Sequence, residues 1–254
     1  NPLLEVTFPP QSKLTHIGDE AFVNTLLTKI IFPSSLTHIG NNAFHNNPLL
    51  EVTFPPQSKL THIGNEAFVN SLLTKIIFPS SLKRIGHSAF IYSQQLTEVI
   101  FPPQSKLTDI GSYAFTHSKL TKVIFPFSIS NIGRYSFAHN KLVKIKLPSN
   151  FLLTINRGAF HDNELTEVIL PHSVTHVWNY VFSKNKINKL VFPRREFRHI
   201  GIGAFEHNEL VEVTFPSSLR HIGDNAFSNN KLTKVTFPPQ SKLIHIGEGV
   251  FDNN

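Results

Sequence analysis

The sequence contains no cysteine, no methionine and only one tryptophan in 254 residues. Without cysteine there is no disulfide scaffold, no thiolate zinc site and no cysteine nucleophile. Export is not excluded by this, because a repeat fold needs no disulfide. No apolar run approaches the ~20 residues of a membrane span, and no signal peptide opens the chain. The missing initiator Met and a first residue that falls mid-pattern mark the chain as an expected piece of a longer protein. Its targeting signal or anchor is then expected elsewhere, with no membrane insertion by this piece. Recognisable catalytic constellations are lacking too: no phosphate loop, Ser-His-Asp set or paired-carboxylate pocket emerges, so an enzyme is the poorest reading.

What the chain does have is one phrase repeated eleven times. A Phe or Leu before proline recurs from Phe8 to Phe237 at spacings of 22 to 24. The Phe of "AF" or its variants recurs from Phe22 to Phe251, always five residues after the Ile or Val that precedes the "IG" glycine position. Length varies mainly just after the proline, where "FPPQSKLTHIG" alternates with "FPSSLTHIG". A place that absorbs insertions is a surface loop. Residues 1–46 and 47–92 differ at only eight positions, which reads as duplication of a two-repeat unit. No linker or composition break divides residues 1–254, so one domain of about eleven repeats of 22–25 residues is expected, without end caps.

Each repeat carries the same physical parts. "LTKIIFP" at 27–33 places Leu27, Ile30 and Phe32 on one apolar face and reads as a short strand stopped by proline. "LTHIG" is a second extended piece. "GNNAF" is too short for an independent helix and reads as a helical or 3₁₀ turn. Three residues after the "AF" Phe stands an Asn, Ser or Thr, from Thr25 through Asn254, able to bond turn backbone in a ladder. One repeat cannot bury its own Leu, Val and Phe, and stacking can. Twenty of the 23 Phe are the two anchors, so the aromatic richness is assigned to the core.

The pattern "LTxVxFPxSLxxIGxxAFxxN" resembles the leucine-rich repeat, most closely the bacterial BspA-like (Treponema pallidum type) subclass. That subclass is marked by "IP", "IG" and "AF" at these spacings, followed by Cys or Asn. Asn, Ser or Thr stands here where the family often has Cys. The resemblance implies a right-handed β/α superhelix. Its concave face is a parallel sheet, and short strands with 3₁₀ or helical turns line its convex side. It also implies a cell-surface or secreted protein, since family members are typically exported and several are adhesins for host proteins.

In a solenoid, sites are columns of equivalent positions. The third strand position alternates in charge: Glu5, Lys29, Glu51, Lys75, Glu98, Lys122, Lys144, Glu167, Lys189, Glu212, Lys234. Cross-strand pairing explains this alternation, and it breaks only at Lys122–Lys144. The fifth position also faces outward and includes Ile77, Ile100, Ile124, Lys146 and Ile169. Strand propensity explains β-branching there, yet an exposed apolar strip beside charges also suits a protein-binding groove. The candidate ligand-binding residues are Lys122, Lys144, Lys146, Lys189, Glu167, Ile77, Ile100, Ile124 and Ile169. A His column before "IG" reads as a solvated ladder and not a metal site, and no cofactor is expected. The "IG" glycine is expected at positive φ. Trp178, which takes that glycine's place, is either a decayed repeat or, with the basic Arg194 and Arg195, a convex-face contact.

Three functions follow. The first is a non-catalytic adhesion module whose concave sheet contacts a host extracellular or cell-surface protein. The second, resting on the net charge of +7, is a binder of an acidic glycan or wall polymer, with no nucleic acid expected. The third is a structural spacer.

Overall fold

A computed structural model describes residues 3–149, 153–194 and 196–254. Each "LTxVxFP" phrase forms a three-residue strand. In chain order these are Glu5–Thr7 (β1), Lys29–Ile31 (β3), Glu51–Thr53 (β5), Lys75–Ile77 (β7), Glu98–Ile100 (β9) and Lys122–Ile124 (β11). The series continues with Lys144–Lys146 (β13), Glu167–Ile169 (β15), Lys189–Val191 (β17), Glu212–Thr214 (β19) and Lys234–Thr236 (β21). Each "IG" phrase forms a two-residue strand between them, from His16–Ile17 (β2) through Thr154–Ile155 (β14) and His176–Val177 (β16) to His245–Ile246 (β22). Every pairing is parallel and joins a repeat to its sequence neighbour. The fold is a parallel β-solenoid of about eleven turns with a three-residue-strand face, a two-residue-strand face and a side made of turns.

The middle residue of each long strand points inward and its neighbours point out, as period-two alternation requires. Ile30, Ile76 and Val123 are buried while Lys29, Ile77 and Ile124 are exposed. The "AF" rings make one stacked column from Phe22 to Phe251, with neighbouring centroids 5.0 to 6.1 Å apart. Each such contact adds about 0.5–1.5 kcal/mol beyond burial itself.

The turns are not helical: no helix occurs among the described residues. The backbone swings into the left-handed region twice per repeat, at positions such as Asn42 (φ 53°) and Asn46 (φ 56°). Single left-handed residues end right-handed helical runs. Turn N–H groups instead bond the next repeat, as Phe44 N–H does to the Ala67 carbonyl at 2.8 Å.

The Asn column does form the expected ladder. Asn208 Nδ2 donates to the Phe182 carbonyl of the preceding repeat at 2.9 Å and to Phe205 at 3.0 Å, and its Oδ1 accepts from Ile187 N–H at 3.0 Å. Asn140, Asn163, Asn185 and Asn230 repeat the device.

The "IG" glycines are not in the left-handed region, which corrects the expectation from sequence; positive φ falls two residues later. Their requirement is close approach. A Cβ on Gly64 would lie 2.5 Å from the Gly40 carbonyl carbon, and one on Gly86 2.5 Å from that of Gly64. Asn156 is likewise outside that region, and its amide donates to Asn131 Oδ1 at 2.7 Å.

Candidate functional site

The long-strand face is not one continuous sheet. β1–β3–β5, β7–β9–β11–β13, β15–β17 and β19–β21 are separate, so the ladder is open at β5/β7, β13/β15 and β17/β19. At β9/β11 it is held by a single register pair, Glu98 beside Lys122. The chain length from the residue before proline to the Ile or Val of "IG" explains the pattern. It runs nine, seven, nine, seven, nine, seven, eight, seven, eight, seven, nine along the chain. Every weakened step runs from a longer repeat to a shorter one; the first such step, β1/β3, stays paired. At these corners Ser35, Ser81 and Ser128 of the shorter repeats bond carbonyls of the longer loop before them, Ser81 Oγ donating to Ser58 O at 2.8 Å and Leu60 O at 2.7 Å.

A cleft lies at each weakened step. The first, about 630 Å³, is lined by Glu51, Phe54, Pro55, Lys75 and Ile77. The second, about 390 Å³, is lined by Glu98, Ile100, Pro102, Lys122, Ile124 and Phe127. The third, about 270 Å³, brings together Lys144, Lys146, Glu167, Ile169 and Pro171. The fourth, about 390 Å³, holds Val191, Pro193, Arg194, Glu212 and Pro216.

Eight of the nine residues singled out on this face therefore line three clefts. The ninth, Lys189, forms an ion pair with Glu167 across the fully paired step β15/β17. Ile77, Ile124 and Ile169 are 55%, 54% and 56% exposed, and Ile100 is half-buried. Between strand residues, ion pairs occupy paired steps: Lys29–Glu51 at 2.8 Å and Lys75–Glu98 at 2.8 Å. The Lys29 ammonium, hydrogen-bonded to Glu51, holds that carboxyl below its ordinary pKa. Beside the strands, Lys141 reaches Glu164 at 3.4 Å across the β13/β15 step, but among the described residues no ion pair joins the strand residues themselves across a weakened step. Lys122 and Lys144 face each other on paired strands, with Lys146 beside Ile124, and none of the three meets a carboxylate. The prolines that wall the clefts were missed in the sequence; the alternating post-proline length was the signal that could have found them.

On the short-strand face His16, His38 and His62 stack at 4.6 and 4.7 Å, and His176, His199 and His221 at 4.6 and 4.5 Å. Thr hydroxyls lie against Nδ1 of His16, His38, His62 and His176. Parallel stacking turns ring faces, not nitrogens, toward one another. No set of three or more metal-type ligands occurs among the described residues. Burial, and then neighbouring positive charge, lowers the pKa of His38, His62, His176 and His199.

Trp178 is half-exposed and lies over His176 at 5.9 Å. Its turn has the ordinary shape, with positive φ at Tyr180 and Lys184 as in other repeats. What differs is beside it. The short-strand sheet ends at β14 and restarts at β16, so the close glycine contact is absent there and a Cβ is tolerated. The turns still hold the two repeats together through Gly158 N–H to Asn179 O at 3.0 Å. Arg194 is not beside Trp178 but in the fourth cleft, and Arg195 lies outside the described residues.

All four tyrosines stand at positive-φ turn positions, which bulky residues disfavour. Tyr135 and Tyr180 lie over Gly158 and Gly203, whose missing Cβ atoms leave room for the rings. Arg134 and Arg157 sit 5.6 and 5.3 Å from the Tyr135 and Tyr180 centroids. This strip fills space between repeats.

A family model described as the BspA type leucine-rich repeat region matches residues 15–144 and 130–254. No curated protein matches the sequence. Among solved structures the chain is similar to the pneumococcal vaccine antigen PcpA, with 26% identity and a TM-score of 0.67 over 94% of this chain and 65% of that one. It is also similar to YopM from Yersinia enterocolitica, with 19% identity and a TM-score of 0.53 over 87% of this chain and 44% of that one. The chain thus spans less than two thirds of either protein, and the YopM likeness shows the fold alone. The repeat phrase, the parallel solenoid and the matched family model together place this chain among the BspA-type leucine-rich repeat proteins.

Proposed function

We propose that the chain is a non-catalytic binding module of a bacterial surface or secreted protein, and that its long-strand face contacts a host extracellular protein. One observation carries this reading: among the described residues Lys122, Lys144 and Lys146 have no carboxylate partner, and they stand beside exposed Ile124 and Ile169. A face that only held register would continue its ion pairs through repeat seven. Apolar area ringed by unsatisfied charge is the composition of a protein interface. Family membership and the likeness to a pneumococcal vaccine antigen support the surface location.

The test is binding to a panel of host matrix proteins, host cells and heparin across a salt series, with Lys144→Glu/Lys146→Glu alongside. Binding to one protein that survives salt and is lost in the variant supports the reading. The net charge of +7 favours a second reading, an acidic glycan or wall polymer. Affinity for such a polyanion falls steeply with salt and is shared by every acidic target.

A further inference from the structure

We infer that the clefts of the long-strand face take one proline-rich, acidic segment in the polyproline II conformation, laid along the solenoid axis. This rests on the reading of that face as the binding face and names the chemistry of its partner.

The first argument is repetition. The four clefts are built alike, each at a longer-to-shorter step, each walled by proline and each carrying a fifth-position residue open to solvent. Fully paired steps separate them. They therefore recur every two repeats, which at ~4.8 Å per strand is about 10 Å. A partner that fills several clefts must repeat with that period. A polyproline II chain does, with three residues per turn and ~3.1 Å rise, or about 9.3 Å per turn. A β-strand repeats its faces about every 6.6 Å and drifts out of phase at once. An α-helix is about 10–12 Å across with its side chains, too wide to enter clefts separated by paired strands.

The second argument is lining. The first, second and fourth clefts offer Phe54, Phe127 and Phe192 with aliphatic and proline walls, the kind of surface that receives proline rings in polyproline II recognition, and the third offers the aliphatic and proline wall of Leu147, Ile169 and Pro171.

The third argument is charge. The step between the second and third clefts is β11/β13, and it carries Lys122, Lys144 and Lys146, which form no ion pair among the described residues. Prolines three residues apart would occupy those two clefts, and a carboxylate between them would meet three ammonium groups. The recognised unit is Pro, then an acidic residue within the next two positions, then Pro.

The experiment measures fluorescence polarisation of labelled peptides of about twelve residues, four polyproline II turns. One repeats Pro-Glu-Pro, one repeats Gly-Glu-Ser with the same charge, and heparin serves as a competitor. The protein is used unaltered, as Ile124→Asp/Ile169→Asp, and as Lys144→Glu/Lys146→Glu. The substituted isoleucines are exposed, and circular dichroism checks that each variant keeps its fold. The expected result is binding of the Pro-Glu-Pro peptide at least about tenfold tighter than of Gly-Glu-Ser, weakened about tenfold or more by either variant. Equal affinity for the two peptides, full displacement by heparin at matched charge, or no effect of the isoleucine variant overturns the inference. If neither peptide binds while a panel protein does, and Lys144→Glu/Lys146→Glu abolishes that binding, the binding face stands and the polyproline assignment falls. If the panel is also silent, both fall.

Discussion

Lys122 and Lys144 are register partners on paired strands, and neither meets a carboxylate among the described residues. The neighbouring full steps join opposite charges, Lys75 to Glu98 and Glu167 to Lys189. Like charges directly opposite one another destabilise a sheet, so this step costs stability that a partner's negative charge would recover. Lys144→Glu alone is therefore expected to raise the urea midpoint while weakening partner binding. A fall in midpoint would show that the lysine pair is structurally favoured.

The Asn ladder is expected to be a main source of stability on the turn side. Asn208→Ala removes donors to three carbonyls and the acceptor for Ile187 N–H. Unsatisfied buried groups cost about 1–3 kcal/mol, and urea unfolding of the variant reads that loss directly. A change below about 0.5 kcal/mol would mean that water replaces the amide.

Glycine at the "IG" position is expected to be required by spacing. Gly64→Ala drives a Cβ into the Gly40 backbone and should cost about 1–3 kcal/mol, as overpacking does. Trp178→Ala occupies the equivalent place where the short-strand ladder is open, and should change stability by no more than about 0.5–1 kcal/mol. Equal losses at the two sites would remove the spacing argument.

Acid is expected to weaken the turn side. Burial first, then the His139 and Lys184 charges, lowers the His161 pKa to about 4, against the opposing Asp162, and its Nδ1 lies 2.6 Å from Ser183 Oγ. Because the unfolded chain binds this proton near pH 6.5 and the folded chain only near pH 4, folding excludes it across that window. The stability associated with neutral His161 is complete above pH 6.5 and is lost as pH falls toward 4. His161→Gln should flatten the pH dependence of the urea midpoint between pH 7 and pH 4.5. A variant with an unchanged slope would assign the acid response to other groups.

Much of this was legible in the sequence because every signal is spoken eleven times. The inward Ile30 and outward Ile31 follow from strand alternation, and the Asn column follows from its fixed offset to Phe. Two features were not legible. The left-handed positions fall at Glu20, Asn42 and Tyr113 as readily as at Gly158, because the stacked turns impose the conformation whatever the side chain. The clefts escaped because strand composition is the same at open and paired steps; loop length, several residues away, decides which strands meet. Arg194 shows the consequence, since its loop carries it into a cleft and away from Trp178.

The most direct test of the binding face compares two charge reversals of equal size on opposite sides of the solenoid. Lys144→Glu/Lys146→Glu alters the long-strand face, and Arg134→Glu/Arg157→Glu alters the exposed turn side. Binding to the host protein captured in the panel is measured for both at physiological salt. The expected result is loss of binding, about tenfold or more, in the first variant and near-unchanged affinity in the second. Loss in the turn-side variant with the strand-face variant intact would contradict the account.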